Sequence, residues 1–413
     1  MAEVTMDIAS CKADFPVLEQ TMHGRRLVYL DSASSSQRPK IVLDAMDDYY
    51  ETTHANVHRG VYAIAQEADR RYEEARVAVG RFLGAPDPGH EVIFTKNATE
   101  AVNLVAASWG RRHLSAGDAV VLSDLEHHAN LVPWLMLAEE RGVELRFIPM
   151  GDDFRLDLSN LDRLLDGAKL LSCTTMSNVL GTIPPFAEIA AAAHRAGAVV
   201  LADAAQSVPH LPTDVRALGC DFLVFSAHKM LGPTGIGVLW GRRELLESMP
   251  PFLGGGMMIG DVRQDGFTTN ELPWKFEAGT PPIAEAVGLG TAVAYLETLG
   301  MEAVHKHELS LTAFALELLR DRLGDDLRVF GPPTTDARGG VLSLAYRDVH
   351  PHDLAQVLDQ MGVCVRAGHH CAKPLMRRLG VTATARASLY LYNDESDIDT
   401  LADALAEAGS LFG

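Results

Sequence analysis

Residues 221–240 read DFLVFSAHKMLGPTGIGVLW. An apolar, β-branched and aromatic run ends on Ser226, Ala227, His228 and Lys229, and a turn through Gly232, Pro233, Gly235 and Gly237 leads into a second apolar run. The first half predicts a buried strand and the glycine-rich turn a tight return beside it. In α/β sheets ligands bind beyond the carboxyl ends of the strands, so a lysine placed there stands where chemistry is done. A buried lysine gives up its charge readily and becomes a nucleophile toward a carbonyl.

Similar runs recur upstream: EVIFT (91–95), DAVVLS (118–123), VELRFIPM (143–150), AKLLSCTT (168–175) and AVVLADA (198–204). Helical patterns lie between them, at 101–109, 132–141 and 186–196. Alternating strands and helices with near-continuous apolar strands predict a mostly parallel sheet covered on both faces, of seven-stranded type. Beyond the Gly/Pro-rich segment 250–260, a long helical stretch spans about 283–323. A second α/β set follows, with strands in GVLSLAY, VCVRAG and TARASLYLY and helices at 353–361 and 395–408. The expected organisation is an N-terminal arm over 1–20 packing on the small domain and a large domain over 21–282. A linking helix and small C-terminal domain then occupy 283–413.

The chain has 413 residues, enough for two cores, with 36 Lys and Arg against 55 Asp and Glu, a formal charge of −19. That balance argues against nucleic acid or an anionic membrane as partner. No apolar run reaches the ~18 residues of a membrane span, and the first residues lack the apolar core of a secretory signal, so a cytoplasmic location is expected. Five cysteines with no CxxC pair disfavour a disulfide framework or a structural zinc site.

Several strand ends carry reactive groups. LADAAQSVPH (201–210) places Asp203 and Gln206 at one, where a carboxylate can hold a pyridinium nitrogen protonated and an amide can reach a phenolic oxygen. FTKNATEAVNLVA (94–106) places Asn97, Ala98 and Thr99 between a strand and a helix, where backbone N–H groups favour a phosphate, with Ser226 and His228 as further contacts. With Lys229, this set suggests a pyridoxal phosphate Schiff base. LEHHANLVPW (125–134) offers His127 or His128 to stack on a cofactor ring. VCVRAGHHCAKPLM (363–376) sets Cys371 after two histidines and near Arg366, in surroundings that stabilise a thiolate. His369, His370 and Cys371 have no further cysteine or paired histidine nearby, so no metal site is expected. Cys364, inside an apolar run, reads as inert. In TARAS (384–388), Arg386 is a candidate carboxylate clamp. His350 and His352 in DVHPHD read as loop caps.

Taken with FEAGT (276–280) and TARASLYLYN (384–393), these motifs give the chain a resemblance over almost its whole length. It resembles the Suf-type, group II cysteine desulfurases of the class V aminotransferase superfamily, fold type I pyridoxal phosphate enzymes. The resemblance implies that Lys229 carries pyridoxal 5′-phosphate, His127 stacks on its ring, Asp203 meets the ring nitrogen and Gln206 the phenolic oxygen. Thr99, Ser226 and His228 would hold the phosphate, with Thr280 reaching the site of the other subunit of a homodimer. Asn178 and Arg386, with Arg366 nearby, would hold the carboxylate of L-cysteine, and Cys371 would take the sulfur. Alanine would be released, and the sulfur passed to an acceptor protein of the Suf system for iron-sulfur cluster assembly. A selenocysteine lyase, an aminotransferase and a kynureninase-like hydrolase are the alternatives.

Overall fold

The computed structural model describes residues 8–412. Its main sheet has seven strands: β1 (Val92–Thr95), β2 (Ala119–Ser123), β3 (Glu144–Ile148), β4 (Ala168–Thr174), β5 (Val199–Asp203), β6 (Phe222–Ser226) and β7 (Gly237–Gly241). Their order is β1-β7-β6-β5-β4-β2-β3. All run parallel except β7, which pairs antiparallel with both β1 and β6. The turn 230–236 thus sends the chain back beside β6, as its glycines require. Every residue of β2, β6 and β7 is buried, because helices cover both faces.

Within β2 the alternation is direct. Val120 and Leu122 enter a core with Val102, Trp109 and Trp134, while Val121 enters the opposite one with Val200, Phe225 and Leu289. The helices that position the site are α1 (Ala63–Phe82), α2 (Ala98–Val105) and α3 (Val132–Arg141), with α4 (Phe186–Arg195) leading into β5.

The expected single helix over 283–323 is two, α5 (Ile283–Leu299) and α6 (Met301–Leu323), broken at Gly300, whose φ of 81° has no place in a right-handed helix. A four-stranded antiparallel sheet follows, in the order β8 (Leu327–Phe330), β9 (Val341–Tyr346), β11 (Thr384–Ser388), β10 (Arg366–Gly368). It packs on α6, α7 (Pro351–Gln360) and α8 (Glu395–Phe412) through Leu311, Leu319, Leu354, Leu358, Ile398 and Leu405. VCVRAG splits in two: Val363–Cys364 pairs with Val28–Tyr29, and only Arg366–Gly368 joins the sheet. TARASLYLY stops being a strand at Ser388. Tyr390 then turns to bond the Pro209 carbonyl, and Tyr392 to bond Ser32.

Residues 1–7 of the expected N-terminal arm lie outside the described residues. Its described part packs on both α5 and the end of the chain: Asp14 accepts a hydrogen bond from Tyr295, and Lys12 pairs with Asp394 and Asp397. From Val28 to Ser36 the chain runs as a strap between the two sheets. Val28 and Leu30 sit in the smaller core, the Ser388 amide bonds the Leu30 carbonyl, and Ser36 Oγ accepts from the Leu231 amide beside Lys229. Among the described residues no helix is long and apolar enough to cross a membrane.

Candidate active site

The carboxyl ends of β1, β2, β4, β5 and β6 open on one cavity of about 220 Å³. Asn97, Thr99, His127, Asn178, Asp203, Gln206, Ser226, His228, Lys229, Arg366 and Arg386 all line it, so residues spread over 290 positions of sequence meet there as expected. Ala33 and Ser34 of the strap line it too. Nothing in DSASSS (31–36) beyond its turn-forming serines marked that role.

Lys229 ends the short turn after β6 and stands half-buried in the wall of the cavity. Burial pushes its pKa down to about 8, against the opposing pull of Asp203, with Arg386 and Arg366 adding to the depression. The amine is therefore available as a base and nucleophile far nearer neutrality than an exposed lysine. Burial raises the Asp203 carboxyl; its Oδ1 accepts from the Ala205 amide, and the nearby lysine partly offsets the rise. Gln206 donates Nε2 to the Ala33 carbonyl and leaves Oε1 buried without a partner.

His127 resolves the choice between the paired histidines. It lines the cavity, and its Nδ1 accepts from the Ala129 amide, which leaves the ring proton on Nε2. Burial, then Lys229, pushes its pKa down to about 3, so it is a neutral, flat wall. His128 points the other way, as adjacent residues on an extended chain do.

At the far wall, Asn97 caps α2, accepting from the Glu100 amide, and Ser226 Oγ accepts from the Ala98 amide at 2.8 Å. The hydroxyl proton of Ser226 stays free to donate. Gly237 of β7 passes so close that a Cβ there would lie 2.4 Å from Asn97 Cα; only glycine fits. Thr99, Ser226 and the amino end of α2 thus form an anion cradle, with His228 beside it, kept neutral by a burial that lowers its pKa to about 4.

Opposite, Arg386 is fully buried. It donates Nη1 to the Asn178 carbonyl and Nη2 to Ser34 Oγ (2.7 Å) and Asp31 Oδ1 (3.1 Å), and its Nε has no partner. Arg366 donates Nη1 to Ser34 Oγ (2.9 Å) and approaches Cys371 Sγ with Nη2 at 3.8 Å. Asp31 and Ser34, absent from the sequence reading, therefore seat both arginines. Cys371 does not line the cavity; it stands one guanidinium away from it. Asn178 is also committed, its amide donating to the His370 carbonyl at 2.8 Å.

Thr280 lies elsewhere, exposed in a second cavity of about 370 Å³ with Phe252, Leu253 and Glu285. It is not brought to Lys229 within this chain. The FEAGT segment is anchored there by Glu277, which receives both ends of the buried Arg76 guanidinium (2.6 and 2.9 Å), the Tyr72 hydroxyl and the Phe94 amide. Cys364 is half-buried, and burial pushes its thiol up to about 11. His350 caps α7, and its ring stacks on His352. No group of three or more His, Cys, Asp or Glu among the described residues could hold a metal ion.

The donor set fits pyridoxal phosphate. The cavity has a depressed lysine for an aldehyde, a buried carboxylate for a ring nitrogen, and a flat imidazole wall. The unpaired Gln206 Oε1 can accept from a hydroxyl, and the cradle at α2 suits a phosphate.

Comparison with known proteins agrees. The model of the aminotransferase class-V family matches residues 28–401. A probable cysteine desulfurase from Streptomyces coelicolor is 49% identical over 414 residues, covering 99% of this chain and 98% of that protein. A solved cysteine desulfurase from Thermococcus onnurineus has a TM-score of 0.90 at 40% identity, covering 95% of this chain and 98% of the other. One from Escherichia coli has a TM-score of 0.89 at 40% identity, covering 98% and 99%.

Proposed function

The chain belongs to the aminotransferase class-V family, and from that premise we propose that its reaction is cysteine desulfuration with pyridoxal 5′-phosphate, yielding L-alanine and an enzyme persulfide. The observation that carries the assignment is the juxtaposition of two half-sites. A depressed lysine and a buried aspartate share one cavity with two arginines, and one of those arginines meets a thiol on its other edge. An aminotransferase or a hydrolase has no use for that thiol.

Pyridoxal phosphate, when bound, supplies a carbonyl carbon for an amine and a ring that accepts electrons from a breaking bond at Cα. Lys229 holds the group and, as a free amine, takes the Cα proton of the substrate. Asp203 keeps the proton on the ring nitrogen. His127 and Gln206 hold the ring's face and its phenolic oxygen, and Thr99, Ser226 and His228 hold the phosphate. Arg386, with its unpartnered Nε, takes the substrate carboxylate, and the Asn178 carbonyl and Asp31 orient it.

Cys371 Sγ attacks the substrate sulfur, so that a carbon–sulfur bond breaks, a sulfur–sulfur bond forms on Cys371, and the carbon skeleton leaves as alanine. Arg366 Nη2 lies 3.8 Å from that sulfur and can donate to it.

The protein acts as a cytoplasmic homodimer of the Suf type that hands its persulfide sulfur to an acceptor protein serving iron-sulfur cluster assembly. The large exposed side chains Val61, Tyr62, Phe267 and Leu253 support the dimer, and so does the position of Thr280 outside its own chain's cavity. The large domain ends near Pro282, and α5 links it to the small one.

The test is alanine formed from L-cysteine by the cofactor-loaded protein with a reductant, beside Cys371→Ala. Wild-type turnover that collapses in the variant supports the assignment. No alanine from the loaded wild type, or an undiminished rate in Cys371→Ala, removes it.

A further inference from the structure

His127 has a place in the cavity, but His128 does not line it, and the function proposed above leaves it unused. Its amide and its ring nitrogen both go to the thiol loop, while its carbonyl accepts from the Leu131 amide in its own turn. The His128 amide donates to the Cys371 carbonyl at 2.7 Å. Its ring nitrogen Nε2 accepts from the Lys373 amide at 3.0 Å, and its ring lies 5.7 Å from that of His369. His369 in turn accepts the Cys371 amide on Nδ1 at 3.1 Å. Both backbone groups of Cys371 and the amide two residues on are therefore held by imidazole-bearing residues.

The loop needs holding. His370 and Cys371 have φ of 50° and 54°, two successive non-glycine residues in the left-handed region. Such a conformation persists only where its surroundings over-determine it. Asn178 and Thr384 grip His370, through its carbonyl and its Nε2, but neither touches Cys371. From the large sheet, the grip on the thiol residue itself comes from His128.

We propose that His128 is a positioning residue for the Cys371 thiol: by bonding the Cys371 carbonyl and the Lys373 amide it fixes the turn that aims Sγ at Arg366 and the cavity. The dipeptide His127–His128 then does two jobs on its two sides, one ring forming a wall of the cavity and the other fixing the nucleophile. Thiol and cavity wall are in this way registered to each other across the gap between the two sheets. Because Nε2 must accept from an amide, the ring works as the neutral imidazole, in keeping with the burial, His369 and Lys373 that lower its pKa.

The inference rests on the persulfide role of Cys371, but its test does not depend on that role. His128→Leu removes the acceptor and keeps the bulk, and His128→Gln restores an acceptor of similar reach. Lys373→Pro removes the donor from the other side of the same bond, at the first position of a short helix where proline is tolerated. The first readout is alkylation of Cys371 by iodoacetamide in the resting holoenzyme, followed by intact mass. The second is persulfide formed on Cys371 in a single turnover with L-cysteine. The cofactor's visible absorbance reports the fold.

His128→Leu and Lys373→Pro are each expected to raise the alkylation rate and lower the persulfide rate by about fivefold to tenfold. His128→Gln should restore most of the difference, and the Leu/Pro double variant should add little to either single change. Wild-type rates in Lys373→Pro and His128→Leu, or full additivity in the double variant, would overturn the proposal. A wild type that forms no persulfide removes the desulfurase reading, while the alkylation series still decides whether His128 sets the thiol's pose.

Discussion

Lys229 lowers the stability of the cofactor-free protein, and the size of the penalty follows from its surroundings. Its pKa falls from 10.5 to about 8. At ~1.4 kcal/mol for each pH unit, holding this amine protonated inside the fold costs about 3 kcal/mol relative to the unfolded chain. The sign is that of a depressed base. The penalty is full below about pH 8, where the unfolded chain and the fold both carry the proton, and fades as pH climbs toward 10.5. Lys229→Met removes the charge and fills the space with a flexible apolar chain. Part of the gain is lost because Asp203 loses the nearby positive charge that offsets the burial of its carboxyl. The net expectation is a cofactor-free variant about 1–3 kcal/mol more stable than wild type at pH 7, with the advantage shrinking toward pH 10. Urea denaturation of both cofactor-free proteins at the two pH values measures it. Cofactor should then reverse the order, because only the wild type can hold it covalently and gain stability by binding. A variant that is no more stable than wild type at pH 7, or whose advantage does not fall at high pH, would refute the picture of Lys229 as a desolvated amine.

Two other substitutions probe the frame of the site. Glu277→Gln leaves the fully buried Arg76 with only the half-buried Glu73 as a charged partner; a loss of about 3–5 kcal/mol is expected, read as a fall of several degrees in the thermal midpoint, and an unchanged midpoint would contradict it. Gly237→Ala drives a methyl into the Asn97 backbone at the mouth of the anion cradle. It should weaken pyridoxal phosphate binding by about tenfold in a fluorescence titration, whereas wild-type affinity would show that the cradle does not depend on this approach.

The sequence is clearest where one physical rule acts alone. The six strand runs named from 91 to 226 match the observed strands to within two residues, because short runs rich in β-branched and aromatic residues are too brief for a helix, even at Glu144–Ile148, which is mostly not buried. Lys229, Asp203 and Thr99 stand out because each lies at or within a few residues of the carboxyl end of such a strand. What escaped were contacts made across long separations by residues in irregular chain. Asp31 and Ser34 sit in a serine-rich segment whose local chemistry speaks only of turns, yet they seat Arg386 some 350 positions away. Periodicity ran through Gly300, because both flanking helices keep their apolar faces up to the break and only the backbone dihedral ends the first. Val363–Cys364 looked like part of one strand with Arg366, since nothing local announces that its partner is Val28–Tyr29. Thr280 is the reverse case: its motif was legible, but within this chain it lines a cavity apart from Lys229.

The strap at 28–36 and the strand carrying Arg386 have a consequence for the order in which a ribosome delivers the site. A chain grown to about residue 300 already holds Asn97, His127, Asp203 and Lys229 on a sheet of neighbouring strands covered by α5, because domains generally fold as units from the amino end during synthesis. It holds neither arginine nor Cys371, and the strap still waits for Cys364 and Ser388 to pair with. The half that carries Arg366, Cys371 and Arg386 is thus the last to emerge and closes over ground prepared by the first residues. An unfinished or prematurely terminated chain gathers the lysine, the aspartate and the anion cradle without the thiol loop that faces them.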